Sequence, residues 1–102
     1  MTDRRLAALL ADAAAEATGV AAAEEDGVTT WSTGGTPFVA LNGSTVEFRL
    51  DAVVGAAARR TPDTSASTRG DAWVAFRPAD LDQYGEDRIR AWFAAARRRA
   101  SA

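Results

Sequence analysis

The chain has 102 residues, 12 basic and 14 acidic side chains, a formal net charge of −2, and neither histidine nor cysteine. Its length and balance fit one domain spanning residues 1–102, and the missing residue types exclude disulfides, thiolate metal sites and catalysis built on cysteine or histidine. Every basic residue is arginine, which removes a lysine nucleophile, and the acidic excess disfavours broad binding to nucleic acid or anionic membrane.

The N-terminus begins Met1-Thr-Asp-Arg-Arg-Leu6 but is interrupted by Asp12 and Glu16, a poor match to a secretory signal. No apolar run reaches the length of a membrane span. A cytoplasmic location is expected. Asp3 can cap a first helix in which Leu6, Leu9, Leu10, Ala13 and Ala17 recur on one side, ending by Gly19. Arg4 and Arg5 at its start and Glu16 at its end oppose the helix dipole, so alanine propensity and leucine packing must hold it. Glu24-Glu25-Asp26-Gly27 reads as a solvated acidic turn. With Asp12 and Glu16 it offers too few spaced carboxylates for iron or another metal, and no cofactor is expected.

Val28-Thr-Thr-Trp-Ser32 is β-prone and ends at Gly34-Gly35, a structural turn rather than a phosphate loop. The central pattern is Thr36 to Leu50, two β-rich runs around Asn42-Gly43. A two-residue turn at Asn42-Gly43 sets Val39 opposite Val46, sharing a face with Leu41, Phe48 and Leu50. Phe38 then joins Glu47 and Arg49 on the other face. A three-residue turn including Ser44 shifts the pairing by one and puts Phe38 in the core. Asn-Gly favours the first version, which leaves Phe38 partly exposed.

Asp51 is the expected cap of a short helix, Ala52 to Arg60, with Val53, Val54, Ala57 and Ala58 available for burial. Thr61-Pro62 stops it, and the hydroxyl-rich segment 61–70 reads as an exposed loop. Asp71 to Phe76 is a strand, with Trp73 and Ala75 on one face and Val74 and Phe76 on the other. Asp80 and Gln83 have capping-box spacing before a helix from near Leu81 to near Arg98. Ile89, Trp92, Phe93 and Ala96 form its apolar stripe, with Tyr84 close to that side. Arg97, Arg98 and Arg99 match the dipole at its end, and are also candidates for contact with a phosphate or an acidic partner.

These elements predict an α+β fold. Their order, with Val46-Glu-Phe-Arg-Leu-Asp51 entering the short helix and Trp73-Val-Ala-Phe76 preceding the last, resembles the MmcQ/YjbR-like proteins. Gly34-Gly35 before Phe38, Arg49 in the strand before the short helix, and Trp73-Val74 carry the likeness, which covers most of the chain from about Trp31. The resemblance implies a small bacterial domain with a frataxin-like fold: an antiparallel sheet of about four to five strands, with N- and C-terminal helices and a short middle helix packed on one face. It transfers a fold rather than an activity.

Three kinds of function follow as expectations. A non-catalytic binding module would use the open sheet face through Phe38, Arg49 and Trp73, with Arg69 from the neighbouring loop, to contact protein or single-stranded nucleic acid. The partner would be another protein or a second copy. A small-molecule site or enzyme would use the 61–71 loop, where Arg69 and Asp71 are the local pairing to inspect. A self-associating structural role would use the open face or a hairpin edge.

Overall fold

The computed structural model describes residues 2–102. Its elements are α1 (Thr2–Ala15), β1 (Val20–Glu25), β2 (Val28–Thr33), β3 (Thr36–Asn42), β4 (Thr45–Arg49), α2 (Ala52–Arg59), β5 (Thr64–Ala66), β6 (Trp73–Phe76) and α3 (Gln83–Ser101). The fold is α+β, with one antiparallel sheet in the order β1-β2-β3-β4-β6-β5. Among the described residues six strands replace the expected four or five. The additions are β1, which takes Glu24-Glu25 out of the expected acidic turn, and β5, which lies within the segment read as a loop.

The first four strands form a meander of two-residue hairpins. Asp26-Gly27 and Gly34-Gly35 have positive φ at both central positions, the primed-turn geometry whose twist matches the strands it joins. At the third hairpin the expected register is corrected. Asn42 pairs with Thr45, Leu41 with Val46 and Val39 with Phe48, so the turn residues are Gly43-Ser44 rather than Asn42-Gly43. Gly43 has φ 61°, while Asn42 and Ser44 are not left-handed. A glycine at the first central position is the II′ solution, and here it prevails over the I′ turn that Asn-Gly favours. The pairing slips by two residues, so Val39, Leu41, Val46 and Phe48 keep their common face.

Phe38 is the second correction. Trp31 pairs with Val39 but Ser32 with Pro37, which leaves Phe38 as the extra residue of a β-bulge. The bulge breaks the alternation and turns Phe38 inward, where it is 0% exposed and its ring lies 5.2 Å from that of Phe93 at 74°. Phe38 therefore leaves the expected contact surface and belongs to the core.

One cluster holds all three helices on the same side of the sheet. Leu6, Leu9 and Leu10 enter from α1, Ala58 from α2, and Ile89, Trp92, Phe93 and Ala96 from α3, against Trp31, Val39, Val46, Phe48, Val74 and Phe76. Trp92 meets Phe48 and Phe76 edge-on at 5.7 and 5.2 Å, and Phe93 also meets Trp31 at 6.4 Å. Such pairs contribute about 0.5–1.5 kcal/mol each beyond the area they bury. Arg5 pairs with Glu86 near the starts of α1 and α3, and Arg97 donates to the Thr18 carbonyl past the end of α1, at 2.7 Å. The two helices thus run in the same direction. Arg5, unfavourably placed for its own helix dipole, gains a carboxylate from the neighbouring helix.

Several local expectations also change. α1 already runs from Thr2, so Asp3 sits in its first turn rather than capping it. Asp82, not Asp80, caps α3 by accepting from Gly85 N–H at 2.8 Å. Asp51 does cap α2, accepting from Val54 N–H at 2.8 Å. The buried line of α2 is Gly55 and Ala58, with Val54 partly packed; helical spacing then carries Val53 to solvent, 80% exposed. Tyr84, on the first turn of α3, is 73% exposed rather than part of the apolar stripe.

Replacing Phe93 with alanine should cost about 3–5 kcal/mol, whereas Tyr84→Ser should change stability by less than about 0.5 kcal/mol. Urea unfolding of the two variants checks this ordering.

Candidate interaction surface

Strand alternation places Ser65, Ala75, Glu47, Ala40, Thr30 and Ala23 in one row across the side of the sheet opposite the helices. A neighbouring row contains Trp73, Arg49 and Ser32. Most of these side chains are small, and the charged ones lie toward β4 and β6. The sequence-predicted residues Arg49 and Trp73 face each other directly across β4 and β6, both partly exposed.

Arg69 reaches the same place from the loop. β5 pairs along β6, with Thr64 opposite Phe76 and Ala66 opposite Val74. Asp63 makes this pairing possible by taking φ 68°, a conformation that Asp tolerates better than most residues. Its carbonyl accepts from Arg77 N–H at 2.9 Å and its carboxylate from Ala79 N–H at 3.2 Å. Beyond β5 the chain folds over the sheet. The Ser67 hydroxyl donates to the Glu47 carboxylate, whose other oxygen accepts from Arg69 Nε at 3.0 Å. The Arg69 guanidinium lies 5.5 Å from the Trp73 ring centroid, within cation–π range. Glu47, expected on this face beside Arg49, is the negative side chain between these groups. Its place on the face was legible, but the loop that reaches it was not.

The pairing expected within the loop does not form. Arg69 binds Glu47, while the Asp71 carbonyl accepts from the Arg59 guanidinium. The three C-terminal arginines also separate. Successive residues of a helix point about 100° apart, so Arg97 turns to Thr18, and with Arg98 lines a hollow between α1 and α3. Arg99 faces a different hollow beside Leu50, Asp51, Arg59 and Asp71. They do not form one cationic patch.

At the opposite corner of the uncovered face lies a shallow hollow of about 460 Å³. Ala21, Ala23, Val28, Thr30 and Ser32 floor it, and Glu25 and Asp26 stand at its acidic rim. Sequence reasoning missed this hollow with β1 itself. The available signal was Asp26-Gly27, a strong hairpin dipeptide. Among the described residues no helix is long and apolar enough to cross a membrane.

Comparison with family models, with curated proteins and with solved structures found no match for this chain.

The Arg69–Glu47 pair is partly buried, its side chains 35% and 14% exposed, so Arg69→Ala should lower global stability by no more than about 3 kcal/mol, the loss of one charge-assisted hydrogen bond. It should nevertheless release the fold-over of the loop. Amide exchange in residues 67–70 should accelerate while that of β4 stays slow; unchanged exchange in the loop would show that Arg69 does not hold it.

Proposed function

We propose that this chain is a non-catalytic binding module that contacts a protein partner through the sheet face opposite its helices. The observation that carries the reading is the meeting of Arg49, Trp73, Arg69 and Glu47 on that face. Arginine and tryptophan are the residue types most enriched where binding energy concentrates. Both are partly exposed here; Ala40 and Ala75 beside them are buried, while Thr30 and Ala23 farther across the face remain accessible.

The charges favour protein over single-stranded nucleic acid. Glu47 stands among the arginines, and Glu25 with Asp26 marks the far corner, where a phosphate backbone would be repelled. The polar groups of the 61–71 segment also support a structural role for that loop: Thr64 donates to the Thr61 carbonyl at 2.8 Å, and Ser67 and Arg69 bind Glu47. The likeness to the MmcQ/YjbR-like proteins belongs to this proposal as a likeness of scaffold.

Replacing Arg49 with serine and Trp73 with alanine together should remove the protein that co-purifies with the tagged chain from its source cell. Circular dichroism should retain the folded signature. Full retention of the partner by a folded double variant would reject this face.

A further inference from the structure

We propose that the uncovered face is self-complementary and that its partner is a second copy of this chain. The inference rests on the open-face reading above and adds the identity of the occupant. A twofold interface needs a patch whose two halves complement each other, because residue i of one copy meets residue j of the other and the reverse. The uncovered face has that form. One corner carries the hollow floored by Ala21, Ala23, Thr30 and Ser32, with Glu25 and Asp26 on its rim. The other carries Arg49 beside Trp73, with Arg69 stacked on the indole. Between them lie Ala40 and Thr30, paired across β3 and β2, uncharged and small.

The polarity of the two corners differs for a structural reason. Arg69 uses one of its N–H groups on Glu47, so the pair nearly cancels, and among the described residues Arg49 has no carboxylate within ion-pair distance. Among the same residues Glu25 and Asp26 have no cation partner. Each copy thus presents an unmatched cation at one corner and unmatched carboxylates at the other, and stacking two copies matches both. The aromatic corner also supplies bulk where the acidic corner has a depression.

The geometry limits how the copies meet. Strands lie about 4.8 Å apart with a rise near 3.4 Å per residue, so Arg49 stands roughly 14 Å across and 14 Å along the sheet from Glu25. A twofold axis that exchanges these corners crosses the strands of the two sheets at roughly a right angle, one of the two packing classes open to stacked sheets. The contact is made mostly by small side chains and rim charges, so it is weak and sensitive to salt.

Sedimentation equilibrium over a wide concentration range tests the inference with four samples. The native chain should show a reversible dimer that weakens as salt rises. Arg49→Glu and Glu25→Arg should each weaken it by about tenfold or more, because each sets like charges together at both symmetric contacts. An equimolar mixture of the two variants should recover association, since in the mixed dimer every reversed charge meets its reversed partner. Circular dichroism checks that each variant is folded. A native chain that stays monomeric, or a dimer indifferent to both reversals, or a mixture that fails to recover, overturns the proposal. The wider reading fails separately, when the Arg49 and Trp73 double variant still captures a different protein.

Discussion

Two adjacent residues of α3, Trp92 and Phe93, decide the architecture. Trp92 sits edge-on to Phe48 and Phe76, and Phe93 to Phe38 and Trp31. These contacts join β2, β3, β4 and β6 to a single helix. Aromatic edges and faces attract through their opposed charge distributions, and large rings bury much area for few torsions. Once α3 is seated, α1 packs beside it through Leu6, Leu9 and Leu10. The paired contacts Arg5–Glu86 and Arg97–Thr18 hold the two helices in the same direction. Every large ring except Trp73 and Tyr84 is thereby committed to one side of the sheet.

The opposite side is shaped by what remains. Strand alternation leaves it alanine, serine and threonine, together with Arg49, Glu47 and Trp73. An antiparallel sheet can expose such a face because its backbone groups are satisfied within the ladder. The β5 edge then brings Ser67 and Arg69 over Glu47, so the segment that looked most like a free loop orders part of the surface. Among the described residues none covers the β1 edge in the same way, and the hollow beside Glu25 and Asp26 stays open. Function is read from that asymmetry: one corner cationic and aromatic, the other acidic and recessed.

Much of this was legible from the residues. Asp51 as a cap, the apolar stripe Ile89-Trp92-Phe93-Ala96 and the opposite facing of Trp73 and Val74 follow from period and capping chemistry, whereas helices on one face were implied by the resemblance to the MmcQ/YjbR-like proteins. The failures have physical causes. Val20 to Glu25 carries no alternating pattern, and its pairing is imposed by the Asp26-Gly27 turn and the neighbouring β2. The Gly43-Ser44 turn competes with Asn42-Gly43 in the same stretch, and because the two registers share a face the apolar pattern does not distinguish them. Phe38 was misplaced because a bulge is a single inserted residue with no marker in a period-two pattern. Arg69 found Glu47 instead of Asp71 because loop direction depends on β5, which local composition conceals.

Aromatic packing on α3 confines the helices to one face and leaves Trp73 on the other. The three tryptophans, Trp31, Trp73 and Trp92, report on this directly when replaced by 5-fluorotryptophan and observed by fluorine NMR with a soluble paramagnetic agent. The measurement is made on dilute protein in salt high enough to suppress association. Trp31 and Trp92 should be protected, and Trp73 alone should broaden strongly. A Trp73 resonance as protected as the other two would contradict the account.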